Sequence, residues 1–356
     1  MDLINSPGKA RGPYASGSPR WRRWLPWLGA LIGAAALVFV LQRFDLGRFR
    51  AVVESADVRF ILLVPLAIAT EQLVRAWKWR QLLYPLRPMV GTLPLFGAIM
   101  AGYLTGLLIP FGFATLTRSW LVARREDLTL TGVLATVVLD RLTDGIVFAS
   151  LVPIVLVLVA FPDPTGGIRA GLAWGTAGSF ALVVVLIYGV VAYKRAVLRP
   201  DGLPMRLLGR LPTRLVGPVR RVSASFAEGI VWPREFWRGL GIVLASALIK
   251  LVAATHFLWA GLALGVALRP GQYLFLLVFL GFLVILGHFA RVAGSFVVGA
   301  IVALGLFGVP EEEALAMVLI VEGANILSVT SIGAFALWRQ GIALSELRAA
   351  GVANAG

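Results

Sequence analysis

The sequence predicts an all-α, polytopic integral membrane fold, and three observations predict it. Of 356 residues, 59% are hydrophobic and 14% charged, with a mean hydropathy of +0.86, a balance foreign to water-soluble domains. Apolar runs longer than about 18 residues recur, and in lipid such runs must be helices that close their backbone hydrogen bonds internally. Basic residues gather between these runs, as in cytoplasmic loops. Roughly eight or nine membrane helices are expected, including two broken or re-entrant hairpins.

The same composition excludes several classes of function. A formal charge of +15 and a pI near 11.3 would suit nucleic acid, but the basic residues lie between apolar spans and not on a soluble module. The expected partners are therefore membrane lipids, through anionic headgroups at the cytoplasmic face, with a second copy or a pathway partner as further candidates. With no cysteine, disulfides, thiolate catalysis and cysteine-based metal sites are excluded. Two histidines, His256 and His288, are too few for a histidine-rich metal site, and no metal or cofactor is expected.

Residues 1–23 are polar, basic and rich in Pro, Gly and Ser, and they read as a disordered cytoplasmic tail. A single transmembrane domain follows over residues 24–340. Its first span, about 24–42, has Trp21, Trp24 and Trp27 at the interface and reads as a retained helix. A mixed-charge surface helix ends near Asp57, and the second span runs from about 59 to 82. Toward its end stand Glu71, Arg75, Lys78 and Arg80. They are expected to snorkel and to meet cytoplasmic headgroups. Residues 92–125 form a hairpin broken at Pro110 and Gly112, with Arg118 just beyond the break. The span over 128–161 exits at an uncharged-to-acidic loop, and 169–193 returns. Residues 194–238 form a basic cytoplasmic linker whose arginines alternate with apolar residues, a pattern for amphipathic surface helices. It separates half one (about 57–193) from half two (about 239–339). Half two opens with a span carrying Lys250 and His256. A Gly-rich hairpin over 272–308 holds His288, a candidate proton relay, and Arg291. The last span, about 312–338, contains Glu322 and Asn325, and 341–356 is a short cytoplasmic tail.

Within the 128–161 span, Asp140, Arg141 and Asp144 are costly at membrane depth and must face protein or water. A structural ion pair between helices and a functional site account for them equally well. "VLATVVLDRLTD" (133–144) also aligns without a gap to "ALAMVLIVEGAN" (314–325), placing Arg141 against Glu322 and Asp144 against Asn325. Each stretch follows a broken hairpin, and the loop charges give the two hairpins opposite orientations. This is the pattern of an inverted repeat around a midplane site. The expectation is geometric: the two helices cross near the bilayer centre with these clusters facing each other.

Four segments taken together, "RAWKWRQLL" (75–83), "GLLIPFGFATLTRSWLV" (106–122), "ATVVLDRLTDGIV" (135–147) and "GVPEEEALAMVLIVEGANIL" (308–327), resemble the transmembrane-region family of lysylphosphatidylglycerol synthetase. Its members are called flippase-like, and the hopanoid-associated branch is nearest. Pro110 and Arg118 match the pattern, while Thr115, Val297 and Glu322 depart from it and Arg291 stands as the compensating swap for Glu322. The resemblance implies movement of a phospholipid or lipid-linked headgroup across the inner membrane, with both termini cytoplasmic. Arg118 and Arg141 would hold a phosphate. Asp140, Asp144 and Glu322 would hold those arginines in the empty site, or bind a cationic headgroup or a proton, and Arg291 and Asn325 complete the set. The rival readings are an accessory membrane subunit of an envelope-lipid pathway and a lipid-modifying transferase. The chain is expected not to be an enzyme, because no phosphate loop and no Ser/His/Asp set is present.

Overall fold

The computed structural model describes residues 45–108, 113–163, 165–198, 213–290 and 295–341. The predicted first span, Pro110 and Gly112 at the first hairpin's break, Arg291 and the side chain of His288 lie outside the described residues. Every described element is helical: α1 (Leu46–Glu54), α2 (Val58–Leu83), α3 (Thr92–Leu108), α4 (Phe113–Glu126), α5 (Leu130–Leu158), α6 (Gly167–Leu198), α7 (Thr213–Gly229), α8 (Phe236–Ala263), α9 (Pro270–Ala290), α10 (Ser295–Gly305) and α11 (Glu311–Arg339). By length and composition α2, α5, α6, α8 and α11 can each cross a membrane, while α3, α9 and α10 contribute shorter apolar segments.

Local chemistry sets the helix starts. The Asp57 carboxylate accepts from Arg59 N to cap α2, and Thr129 caps α5 through Gly132 N, each satisfying a backbone donor the helix leaves free. Glu311, Glu312 and Glu313 fill the first turn of α11, where negative charge complements the helix dipole.

The two broken elements are antiparallel pairs of short helices. In the first, α3 packs on α4 and Gly102 lies against Ala114 and Arg118: a Cβ at 102 would stand 2.6 Å from the Ala114 carbonyl oxygen. Only glycine permits that approach. In the second, α9 packs on α10, with Gly299 against Leu283 and Leu280.

Helix α2 is the hub, packing on α8 most extensively and also on α3, α11 and α5. It runs antiparallel to α8, since Asp57 N donates to Ala263 O at one end while Arg238 donates to Gln81 at the other, at 2.7 Å. It runs antiparallel to α5 too, as Arg75 meets Asp144 and Trp79 meets Thr136. α11 begins beside Gly261 near the end of α8 and finishes with Gly333 against Met100 and Gly97 against Ala336. It therefore runs with α2, and α5 and α11 point in opposite senses. α6 is largely on the outside, its apolar residues exposed. α7 packs on α5 and α6 and turns Arg220 and Arg221 outward.

Two apolar cores result. One gathers α9, α10, the early part of α11 and the late parts of α5 and α8, and reaches Val64 and Ile68 of α2. The other gathers α3, α4, the early part of α5 and the end of α11 around Ala76, Trp79 and Leu82 of α2. Where the two cores meet, the chain places buried charges: Glu71 and Arg75 between Ile68 and Ala76 on α2, Asp140 and Asp144 between Val137 and Val152 on α5, and Lys78 and Arg118 at the edge of the second core.

Candidate functional site

Glu71, Arg75 and Lys78 fall at positions i, i+4 and i+7 of α2, one helical face, and that face is turned into the bundle. Lys78 is 0% exposed, Arg75 5% and Glu71 9%. The expectation that these residues snorkel toward headgroups is overturned: only Arg80 is exposed. The physical reason is on the facing helix. Asp140 and Asp144, one turn apart on α5, are buried as well, and carboxylates at that depth need cations beside them.

The cluster is continuous. Lys78 Nζ donates to Asp144 Oδ1 at 2.6 Å and to the Asp140 carbonyl at 3.0 Å, and it lies 2.8 Å from Asp140 Oδ1. Arg75 donates to Asp144 Oδ2 at 2.7 Å and to Glu71 Oε1 at 3.1 Å. His256 Nε2 of α8 stands 3.6 Å from Glu71 Oε2. On the far side Arg118 of α4 approaches Asp140 Oδ2 at 3.6 Å, too long for a hydrogen bond. Its guanidinium stacks over Trp79 at 5.1 Å, a cation–π contact, and none of its three side-chain nitrogens has a hydrogen-bond partner among the described residues. Trp79 is itself fixed by donating to Thr136 at 2.9 Å.

A cavity of about 550 Å³ opens beside this cluster. Glu71, Arg75 and Asp144 form part of its wall, and Arg141 and Lys250 add cations from α5 and α8. The remainder is mainly apolar, including Phe148, Phe257, Leu277 and Leu280, with His256 and Tyr273 as its other polar residues. Lys250 sits at the midpoint of the 28-residue α8, as Asp144 does in the 29-residue α5. It lies over the Phe148 ring at 5.8 Å and makes no ion pair or hydrogen bond among the described residues. Arg141 is exposed at the rim and likewise unpaired among them. Counting Glu71, Asp140 and Asp144 against Arg75, Lys78, Arg118, Arg141 and Lys250, cations are in excess.

Of the sequence-derived candidates, Asp140, Asp144 and Arg118 therefore meet one another, Glu71, Arg75 and Lys78 join them, and Arg141 lines the cavity. Glu322 and Asn325 do not join them. α11 packs on α3, α2, α8, α10 and α1, and α5 is not among its principal neighbours. The expected face-to-face meeting of the two aligned segments is thus corrected. Glu322 and Asn325 are half-buried and make no ion pair or side-chain hydrogen bond among the described residues. Lys250 escaped the sequence analysis as a site residue. Its signal was present, a lone lysine midway along an apolar span.

A helical bundle with this polar site between two apolar cores is a polytopic membrane protein built around an intramembrane charge cluster. The chain belongs to the family described as the lysylphosphatidylglycerol synthase TM region, whose match covers residues 27–333. That membership makes it a lipid-related membrane protein. Neither a curated protein nor a solved structure matches the chain.

Proposed function

We propose that the protein is a flippase or lipid transporter that moves a phospholipid or lipid-linked headgroup across the inner membrane, both its termini being cytoplasmic. One observation carries the reading: two unpaired cations, Lys250 and Arg141, stand on the wall of a cavity that has the ion-paired Glu71, Arg75 and Asp144 on one side and a mainly apolar surface on the other. Such a wall suits an amphiphile with an anionic headgroup. The phosphate would accept from Lys250 and from the planar fork of Arg141, and the acyl chains would lie along Phe148, Phe257 and Leu280.

The paired part of the cluster has a different task in this reading. With Asp144 tied to Arg75 and Lys78, and Asp140 to Lys78, these charges hold each other in the absence of lipid. A headgroup entering the cavity meets cations already in place, so little ordering is required on binding. Arg118, buried without hydrogen bonds beside Asp140, is a reserve donor reached only if the α3–α4 pair shifts.

The inverted repeat supplies the motion. α5 and α11 are both 29 residues long, run in opposite senses, and each follows an antiparallel pair of short helices. Rocking one such pair against the other would open the cavity to alternate sides. In this reading the lipid is moved without covalent change.

Reconstitution tests it. In liposomes carrying a headgroup-labelled fluorescent phospholipid, wild-type protein should translocate the label well above the protein-free rate. Lys250→Ala and Arg141→Ala should each slow translocation by about tenfold or more, the worth of one charge-assisted hydrogen bond. Wild-type translocation at the protein-free rate, or unchanged rates in both variants, overturns the reading.

A further inference from the structure

A second cavity, of about 770 Å³, lies on another face of α5, between α5, α6 and α8. It is separate from the site above. Asp140 and Asp144 turn toward α2 and Arg141, Gly145 and Phe148 toward the first cavity, whereas Leu139, Leu142, Ile146 and Val147 line the second. Ile187, Val190 and Val191 of α6 form its opposite wall.

Its polarity is graded along its length. Among the described residues, Lys194 and Arg195 are its charged lining residues, and both stand at the end toward the basic linker with Trp232. Arg195 is exposed and unpaired among the described residues. Lys194 donates to the Ile230 carbonyl, which leaves two of its three ammonium hydrogens free. Ile187 lies eight residues before Arg195, a rise of about 12 Å into the apolar part. The one hydroxyl on the inner wall, Thr143, donates back to the carbonyls of its own helix at 3.1 and 2.9 Å. Among the described residues no carboxylate lines the groove.

We propose that this groove holds one anionic phospholipid as a resident ligand, its phosphate between Lys194 and Arg195 and an acyl chain laid between α5, α6 and α8. Charge complementarity selects the headgroup, because two basic side chains stand at one mouth and no acid lines it among the described residues. The apolar length of the groove selects a chain over a soluble anion. Trp232, amphipathic and exposed at the same mouth, occupies the level where indoles sit in membranes. The site is distinct from the proposed transport cavity, and its occupancy does not depend on transport.

Fluorescence of Trp232 reads the groove directly. The full chain is placed in mixed phosphatidylglycerol and phosphatidylcholine vesicles in which one or the other lipid is brominated on its acyl chains. Subtracting the signal of Trp232→Phe isolates this indole among the 11 tryptophans. Brominated phosphatidylglycerol should occupy the groove about fivefold more readily per basic residue than brominated phosphatidylcholine at equal mole fraction. Arg195→Ala should reduce that preference by about fivefold, and Val190→Phe, which fills the apolar part, should remove quenching by both lipids. Equal quenching by the two lipids in wild type, or a preference that survives Arg195→Ala, overturns the proposal. So does loss of the preference in excess inorganic phosphate, which would make this a site for the free anion. A disulfide formed in membranes between Val190→Cys and a cysteine placed in residues 24–42 would show that the chain's own apolar segment fills the groove, and that too overturns it.

Discussion

Lys78 shows what the site requires of single residues. Its ammonium reaches Asp144, the Asp140 carbonyl and the Asp140 carboxylate, with no exposure. Removing it leaves two buried carboxylates sharing Arg75 and the loosely placed Arg118. Lys78→Met is expected to cost about 3–5 kcal/mol, the range for breaking a buried ion pair from one side. Adding Asp140→Leu restores the charge balance, so the double variant should be more stable than the sum of the single effects requires. Thermal unfolding of the four proteins in detergent measures that coupling, and additive losses would deny the pair. Arg141→Ala should behave oppositely, leaving the unfolding temperature within about 2 °C of wild type, because an exposed unpaired side chain supports little, while translocation falls. The sequence shows that such charges exist in the spans but not how α2 is rotated. Lys78 and Arg80 are two positions apart, about 200° around a helix, and packing against α5 and α8 decides which of them is buried.

At the scale of elements, the division of 92–125 into two helices was legible and the partnership of the aligned helices was not. Glycine spacing and the Pro110 break point to two short helices where one long span would otherwise be drawn, and α3 and α4 are those helices. Gapless alignment of 133–144 with 314–325 pairs positions of similar sequence in two halves. Similarity of sequence does not require contact, and α11 packs mainly on α3 and α2. The close approaches that fix this arrangement are specific. A Cβ on Gly333 would stand 2.7 Å from the Met100 carbonyl oxygen, and one on Gly102 2.6 Å from that of Ala114, backbone atoms that cannot swing aside. Gly102→Leu should therefore destabilise by at least about 1–3 kcal/mol, the cost of overpacking. It should also displace Arg118, which lies 3.0 Å from that same Cβ position. Gly171→Leu, with open space around it, is the control and should unfold like wild type. Equal unfolding temperatures for Gly102→Leu and the control would show that α3 and α4 can separate without penalty.

For the whole molecule, the position of the charges between two apolar cores is the feature that joins stability to movement. Each core is continuous within itself, and α2, α5, α8 and α11 cross from one to the other. A rigid-body displacement of one core against the other would be felt first at the ionic seam, where a few polar contacts replace interdigitated side chains. Ion pairs exchange partners at lower cost than a close-packed core repacks, so the seam is where two arrangements can coexist. The absence of cysteine makes this measurable without background substitutions. Lys250→Cys and Arg141→Cys line the cavity and should react with a small, charged, membrane-impermeant thiol reagent. A cysteine at position 76, whose alanine is 0% exposed in the second core, should react at least about tenfold more slowly, the difference expected when opening is needed before modification. If the cavity opens to alternate sides, the Lys250→Cys protein reacts with reagent added to either side of oriented vesicles, and a disulfide locking α3 to α11 through positions 97 and 336 confines that reactivity to one side. Reactivity from a single side in the unlocked protein, unchanged by the lock, would mean that the seam is a static ion network and that the two cores do not move.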